Sequence, residues 1–118
     1  MKLITAIVRP EKLDELVSAL IDHGVRGLTV TDVRGFGQQY GHLINSAARA
    51  VGPDGGRMAV LLAKVRLDLV VRDDDAETIA EVIAKHARTE SIGDGKIWVT
   101  PVDSALRVRT GERDRAAV

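Results

Sequence analysis

The stretch Lys64-Val65-Arg66-Leu67-Asp68-Leu69-Val70-Val71 alternates apolar and charged side chains over most of its length. Successive side chains of an extended strand point to opposite faces, so its apolar residues share one face and its charged residues share the other. This pattern predicts a strand whose apolar face packs against other elements while its charged face stays open. Met58 to Ala63 is expected to extend the same strand at its N-terminal end.

A helix is predicted directly after this strand. The acidic run Asp73 to Asp75 stands at its start, and Lys85, His86 and Arg88 stand at its end. This polarity matches the dipole of an α-helix, whose N-terminus favours negative charge and whose C-terminus favours positive charge. The inner stripe of this helix consists of apolar side chains at helical spacing: Ile79, Val82, Ile83 and Ala87.

The chain after this helix is predicted to return to extended structure. A Gly-containing loop of about residues 89 to 96 leads to a strand from Ile97 to Val102. A C-terminal segment of about residues 103 to 118 follows, and within it Ala105 to Arg109 is expected to be extended.

The N-terminal third repeats the order of strand, helix and strand. Lys2 to Arg9 is rich in β-branched and apolar residues, which favours a strand. The spacing of apolar residues then changes to a helical one, which predicts a helix from about Pro10 to His23 that Gly24 ends. Val25 to Phe36 is a second extended run.

Two units of strand, helix and strand predict an α+β fold. Such halves form a ferredoxin-like βαββαβ sandwich, in which an antiparallel sheet carries both helices on one face. With 118 residues, the chain is expected to be a single domain over residues 1–118. The uncovered face of the sheet favours association with further copies.

Composition excludes several classes of protein. Lys and Arg number 17 and Asp and Glu number 17, so the formal charge is zero, which argues against a general nucleic-acid binder. Without cysteine there is no disulfide framework, zinc knuckle or thiol nucleophile. The first ten residues favour a strand over a signal peptide, and no segment is long enough for a membrane span, so a cytoplasmic location is expected.

A long loop of about residues 37 to 58 interrupts the regular pattern. It contains Gly41, Gly52, Pro53, Gly55 and Gly56 and few large apolar residues. Loops of this length in a small domain commonly carry a function, although a tolerated insertion has the same appearance.

Three segments carry residues suited to phosphate. In Gly93-Asp94-Gly95-Lys96 the glycines permit close approach, successive amides form an anion-binding nest, and the lysine adds a cation; a simple change of direction is the alternative. Arg107 and Arg109 are two residues apart, so in an extended segment both guanidinium groups point the same way; pairing with Glu112 or Asp114 is the alternative.

The third segment is formed by the two ends of the long loop. Gln39 at its entry and Lys64 at its exit are expected to lie close together, because they leave neighbouring antiparallel strands.

The histidines His23, His42 and His86 have no metal-binding spacing, and only His42, in the loop, is a candidate ligand. No nucleophile–base pair or Walker loop is present, so no catalytic residue is predicted. Trp98 and Phe36 are interpreted as packing residues.

Several of these segments, taken in their order along the chain, resemble a known family. The sequence resembles the PII (nitrogen regulatory) signal-transduction family over nearly its whole length. Four blocks in order carry the resemblance: residues 1–14 (MKLITAIVRPEKLD), 27–42 (GLTVTDVRGFGQQYGH), 92–97 (IGDGKI) and 107–112 (RVRTGE).

The resemblance implies a homotrimer that binds ATP or ADP in clefts between subunits. The implied nucleotide-binding residues are Thr29, Gly35, Gly37, Gln38, Gln39, Lys64, Ile92, Gly93, Asp94, Gly95, Lys96, Arg107 and Arg109. Residues 89–96 resemble the family's phosphate-binding B-loop, with Arg107 and Arg109 supplied by the adjacent subunit. Gln39 resembles the residue that coordinates Mg²⁺ with 2-oxoglutarate beside ATP, and Lys64 resembles the lysine at the γ-phosphate or the oxo acid.

The implied function is regulation rather than metabolic catalysis. Bound ATP, ADP or 2-oxoglutarate would favour different conformations of the long T-loop, which binds a target enzyme or transporter, so contact with a membrane is expected only through a transporter. Slow ATP hydrolysis is compatible with this interpretation.

The loop departs from the family pattern. It lacks the modifiable tyrosine near its tip; Tyr40 lies at its base, and Ala63 stands where the family has proline. Modification at the usual tyrosine is therefore excluded, and Ser46 is a weak alternative site. Two other interpretations remain open: a PII-like regulator of bicarbonate or metal transport, and a CutA-like metal-binding trimer with His42, Asp54 and Asp94 as its candidate ligands.

Overall fold

The computed structural model describes residues 1–37 and 61–118. The helices and strands are β1 (Lys2–Val8), α1 (Leu13–Asp22), β2 (Thr29–Gly35), β3 (Leu62–Val71), α2 (Ala76–Ala87) and β4 (Lys96–Pro101). Short 3₁₀ turns at Pro10–Lys12 and Asp73–Asp75 precede the two helices, and a third at Asp114–Ala117 ends the chain.

The four strands form one antiparallel sheet in the order β2-β3-β1-β4. Its core face carries alternate residues of β1 and β3, which are buried together with the inner stripes of α1 and α2. Leu16 and Leu20 of α1 and Ile83 of α2 are completely buried there. The predicted ferredoxin-like α+β fold is confirmed, because both helices cover the same face of the sheet.

The end of α1 shows why the chain turns where it does. Gly24 has a φ of 83°, a left-handed conformation in which glycine carries no side-chain penalty. Its amide donates to the carbonyl of Ile21 at 2.9 Å, and the amide of Val25 donates to Leu20 at 3.0 Å. These two bonds form a Schellman motif, so the glycine ends the helix as predicted, one residue earlier than His23.

Two predicted strands have different limits in the structure. β2 begins at Thr29 rather than at Val25, because Val25 and Leu28 pack onto the helical core before the strand starts. β4 begins at Lys96 and ends at Pro101. The amide of Val102 then donates to the carbonyl of Met1 at 3.1 Å, just beyond the strand.

The prediction that Ala105 to Arg109 is extended is wrong. Only Leu106 makes a β-bridge, to Arg113, and a turn follows Arg107. The amide of Gly111 donates to the carbonyl of Arg107 at 2.8 Å, and the amide of Arg107 donates to Glu112 at 2.9 Å. Gly111 has a φ of 72°, so the chain reverses through a conformation that glycine adopts readily.

The open face of the sheet carries both polar and apolar side chains. Thr5 donates from its hydroxyl to Asp68 at 2.8 Å, and Arg66 donates to the same carboxylate at 2.7 Å. Trp98 and Val70 lie on this face with 40% and 39% of their surface exposed. A partly apolar face of this kind agrees with the expectation that it meets another copy.

The two ends of the long loop leave the sheet side by side. β2 and β3 pair as far as Gly35 and Leu62, and Val33 lies opposite Lys64. The ends of β2 and β3 therefore lie together, whereas Gln39, which is predicted to lie near Lys64, is outside the described residues. Residues 38–60 lie outside the described part, including most of the T-loop and the start of the predicted strand at Met58. Within the described part, no helix has the length and apolar character to cross a membrane.

Candidate functional site

The turn between α2 and β4 lies directly against the backbone of β1. Gly95 has a φ of 100°, and a β-carbon at this position would lie 1.7 Å from the carbonyl oxygen of Ile7 and 2.7 Å from its carbonyl carbon. Gly93 also has a left-handed φ, of 103°. Only a residue without a side chain fits at Gly95, which explains the glycine in the sequence block.

The carboxylate of Asp94 organises this turn. One oxygen accepts hydrogen bonds from the amides of Thr89 at 2.7 Å and Glu90 at 2.9 Å. The other accepts from the hydroxyl of Thr89 and from the Nε of Arg9, the latter at 3.1 Å. The Thr89 hydroxyl, together with these other donors, holds the pKa of Asp94 far below its ordinary value.

Two cations reach the turn from neighbouring strands. Arg9, immediately after β1, donates through Nη2 to the carbonyl of Ile92 at 2.8 Å. Lys64, near the start of β3, donates through Nζ to the carbonyl of Gly93 at 2.7 Å. Burial lowers the pKa of the Lys64 ammonium, and the nearby charge of Arg9 lowers it further.

The turn presents unused hydrogen-bond donors. Within the described residues, the amides of Gly93, Asp94 and Gly95 have no acceptor, and the side chain of Lys96 has no partner. Consecutive free amides in a turn with left-handed glycines attract anions, and adjacent lysines increase this attraction. This end of the sheet is therefore chemically suited to phosphate or carboxylate oxygens.

The whole chain has clear relatives of known family. A family model described as Nitrogen regulatory protein P-II matches residues 1–112. The chain belongs to the P-II family. The "Nitrogen regulatory protein P-II" of Cereibacter sphaeroides is 47% identical over 120 residues, with all of both chains covered. The "Nitrogen regulatory protein GlnK" of Escherichia coli (strain K12) is 42% identical, again over both whole chains.

A solved structure gives the same result for the fold. The PII protein of Arabidopsis thaliana, bound to citrate, matches with a TM-score of 0.78 and 40% identity, covering 99% of this chain and 91% of that one. The protein is thus a P-II family nitrogen regulatory protein, and proteins of this family act as regulators rather than as enzymes.

The predicted P-II site residues fall at two places in the single chain. Lys64, Ile92 and the turn from Gly93 to Lys96 lie at one end of the sheet, and Gly35 is two residue pairs farther toward the loop than Lys64. Gly37 follows shortly, whereas Gln38 and Gln39 lie outside the described residues. Thr29 lies at the other end of β2, about 20 Å from Gly35 by the rise of a strand.

Arg107 and Arg109 lie at the far end of the sheet. Arg107 lines a groove of about 610 Å³ together with Arg26, Val70 and Arg72. Val70 is six residues along β3 from Lys64, which corresponds to about 20 Å. Arg107 and Arg109 of one chain therefore do not lie beside the Gly93 turn of that chain.

The predicted parallel orientation of the two guanidinium groups does not hold, because a turn separates them. Arg107 Nη1 instead donates to Glu112 at 2.5 Å, which is the alternative that the sequence left open. Arg109, in the turn, has no side-chain partner within the described residues.

Arg9 is the site residue that sequence reasoning missed. It stands in the first block of the P-II resemblance, but nothing in its local sequence indicates contacts with Ile92 and Asp94, which follow more than 80 positions later. For a metal centre, residues 1–37 and 61–118 contain no group of three His, Cys, Asp or Glu able to hold an ion. His42 and Asp54, two of the alternative metal ligands, lie outside these ranges.

Proposed function

We propose that this P-II chain is a trimeric sensor of ATP and ADP that controls a target enzyme or transporter through the T-loop of about residues 37 to 58. One observation carries the proposal. The residues suited to phosphate lie at opposite ends of the sheet, with the turn and Lys64 at one end and Arg107 and Arg109 at the other.

A second copy reconciles this separation. When the Arg107 end of one subunit meets the Gly93 turn of the next, a single cleft gains free amides, Lys64, Lys96 and Arg109. Thr29 and Gly35, also about 20 Å apart in one chain, then serve the same cleft from different subunits. The partly apolar open face of the sheet supports such an assembly, because contact between copies removes Trp98 and Val70 from water.

The charges favour a polyanion such as a triphosphate. Asp94 is the only acid bonded within the turn in the described part of the chain, and its carboxylate is occupied by Thr89, Glu90 and Arg9. The turn therefore offers donors and cations without a free negative charge. The plant relative was solved with citrate, a polycarboxylate, which supports anion binding by this fold.

The loop connects nucleotide binding to the target. Lys64 lies opposite Val33, close to both loop ends, and also bonds the turn. A ligand at the turn would compete for Lys64 and so bias the loop between conformations. Gln39 would hold Mg²⁺ with ATP, and 2-oxoglutarate would bind beside it. The names of the relatives support nitrogen control as the pathway.

Calorimetric titration with ATP and with ADP, with and without Mg²⁺, tests the nucleotide proposal, and light scattering measures the assembly. We expect a trimer that binds both nucleotides. Strong Mg²⁺-dependent synergy between ATP and 2-oxoglutarate would indicate carbon and nitrogen sensing, whereas its absence would favour a P-II role in another transport pathway. No binding at millimolar nucleotide would remove the proposal.

Arg109→Ala provides the matched residue test. We expect it to weaken ATP binding by about 1–3 kcal/mol, the usual cost of losing a charged hydrogen-bond partner. The trimer should persist, because Arg109 makes no ion pair within the described residues. Unchanged affinity would place its side chain away from the phosphates. Measurement of released phosphate in the same samples tests for slow ATP hydrolysis.

A further inference from the structure

We propose that Arg9 is a positioning residue for the anion-binding turn: its guanidinium holds the carbonyl of Ile92 and the carboxylate of Asp94, and it thereby orients the amide of Gly93 toward the ligand, next to the amide of Asp94 that Lys64 orients. The inference rests on the proposed function, because it concerns the same turn.

The backbone fixes the place from which Arg9 acts. Arg9 follows the last residue of β1 and precedes Pro10, which disfavours helical conformation at the residue before it. Its φ of −65° and ψ of 138° are extended accordingly. The side chain is only 19% exposed, so it is held against the turn rather than spread in water.

The guanidinium contacts the residues on either side of Gly93. Nη2 donates to the carbonyl of Ile92 at 2.8 Å, and Nε donates to Asp94 at 3.1 Å. A third contact, Nη1 to Glu11, spans 4.0 Å to a carboxylate that is 65% exposed, and it contributes little. The planar fork of arginine can make both of the shorter contacts at once, whereas the ammonium of lysine is a single point.

Peptide geometry links these contacts to the free amides. In a trans peptide, the carbonyl of one residue and the amide of the next point in opposite directions. Arg9 holds the carbonyl of Ile92, so the amide of Gly93 faces away from Arg9. Lys64 holds the carbonyl of Gly93 in the same way, so the amide of Asp94 faces away from Lys64.

Arg9 also offsets the charge of Asp94. An unpaired carboxylate in the turn would repel a phosphate, whereas this carboxylate is paired with Arg9 and bonded by Thr89 and Glu90. Lysine at this position keeps the positive charge but not the two-point contact. The variants Arg9→Lys and Arg9→Gln therefore separate positioning from charge.

The test compares both variants with the wild type and with Lys85→Gln, which removes a positive charge from an exposed side chain of α2 that has no hydrogen-bond or ion-pair partner in the described part of the chain. ATP affinity is measured by calorimetry, thermal unfolding by scanning calorimetry, and the amides of Gly93 to Gly95 by NMR without ligand. We expect Arg9→Lys to raise the Kd for ATP about tenfold, with shifted amide resonances and a Tm close to that of the wild type. Arg9→Gln should raise the Kd further, and Lys85→Gln should leave the amide resonances unchanged.

Four outcomes would overturn the inference. Full rescue by Arg9→Lys would mean that charge alone matters. A lowered Tm with unchanged ATP affinity would mean that Arg9 only stabilises the fold. A wild-type protein that binds no ATP would remove both this inference and the proposed function, whereas a binding-competent wild type with unaffected variants would remove this inference alone.

Discussion

At the scale of single residues, Gly95 and Gly24 are glycines for different physical reasons. Gly95 needs both a left-handed φ and the absence of a side chain, because the backbone of Ile7 lies where a β-carbon would be. Gly24 needs the left-handed φ, of 83°, but no neighbouring atom lies within 4 Å of the place that a β-carbon would occupy there. A comparison of the two positions therefore distinguishes the cost of a left-handed backbone, which both share, from the cost of a steric clash, which only Gly95 would have.

Substitution of these glycines by alanine should give unequal losses of stability. Gly95→Ala is expected to lower the free energy of unfolding by at least about 2 kcal/mol, and Gly24→Ala by about 1 kcal/mol, because only the first also displaces β1. Urea unfolding at one fixed protein concentration measures both. Equal losses would show that the close approach to Ile7 has no energetic weight.

Asp94 makes stability depend on pH in a defined direction. Its pKa is lowered on folding, so its contribution to stability is complete above the ordinary value of 3.8 and is lost as the pH falls below that value. We expect Asp94→Asn to be less stable than the wild type near neutral pH and the difference to shrink below about pH 4. Urea unfolding from pH 7 to pH 3 measures this.

Thr89→Val is the companion variant, because it removes the hydroxyl that contributes most to the lowered pKa of Asp94. Its difference from the wild type should be smaller and should fade in the same pH range. A difference that stays constant down to pH 3 in both variants would mean that the carboxylate is not held in its ionised form by these donors.

At the scale of elements, the sequence indicated most of the architecture. Alternation predicted β3, and helical spacing with terminal charges predicted both helices, because these signals depend on neighbours along the chain. The turn after Arg107 was missed, since its reversal depends on Gly111 and on pairing with Glu112 rather than on the apolar pattern. The contacts of Arg9 could not be predicted from the local sequence, because they join residues far apart along the chain.

We expect the long loop to be needed for binding the target but not for folding. Deleting Leu43 to Gly56 should leave the assembly and ATP binding largely intact, because β2 and β3 pair without it as far as Gly35 and Leu62. Shortening a loop changes its closure entropy only slowly with length. Light scattering, ATP titration and a binding assay with the target measure the outcome, and only target binding should be lost. Dissociation of the assembly would instead make the loop a structural element.

At the scale of the whole molecule, the two groups of residues suited to phosphate lie at opposite ends of the sheet. The turn at Gly93 and Lys64 provides amides and a cation at one end, while Arg107 lines a groove at the other. The strands between them span about 20 Å, which no side chain bridges. A regulator built in this way would bind its effector only when assembled, so that occupancy of the cleft and contact between copies depend on each other.

The most direct measurement uses two variants that damage opposite ends of the sheet, Lys64→Ala and Arg109→Ala. Each is expected to bind ATP weakly alone. When the two are unfolded and refolded together, every mixed trimer contains one cleft with an intact turn from one subunit and an intact arginine from its neighbour. Random mixing gives about one intact cleft in four. Calorimetry should therefore recover that fraction of sites with wild-type affinity, and a mixture that binds ATP no better than the separate variants would contradict a site shared between copies.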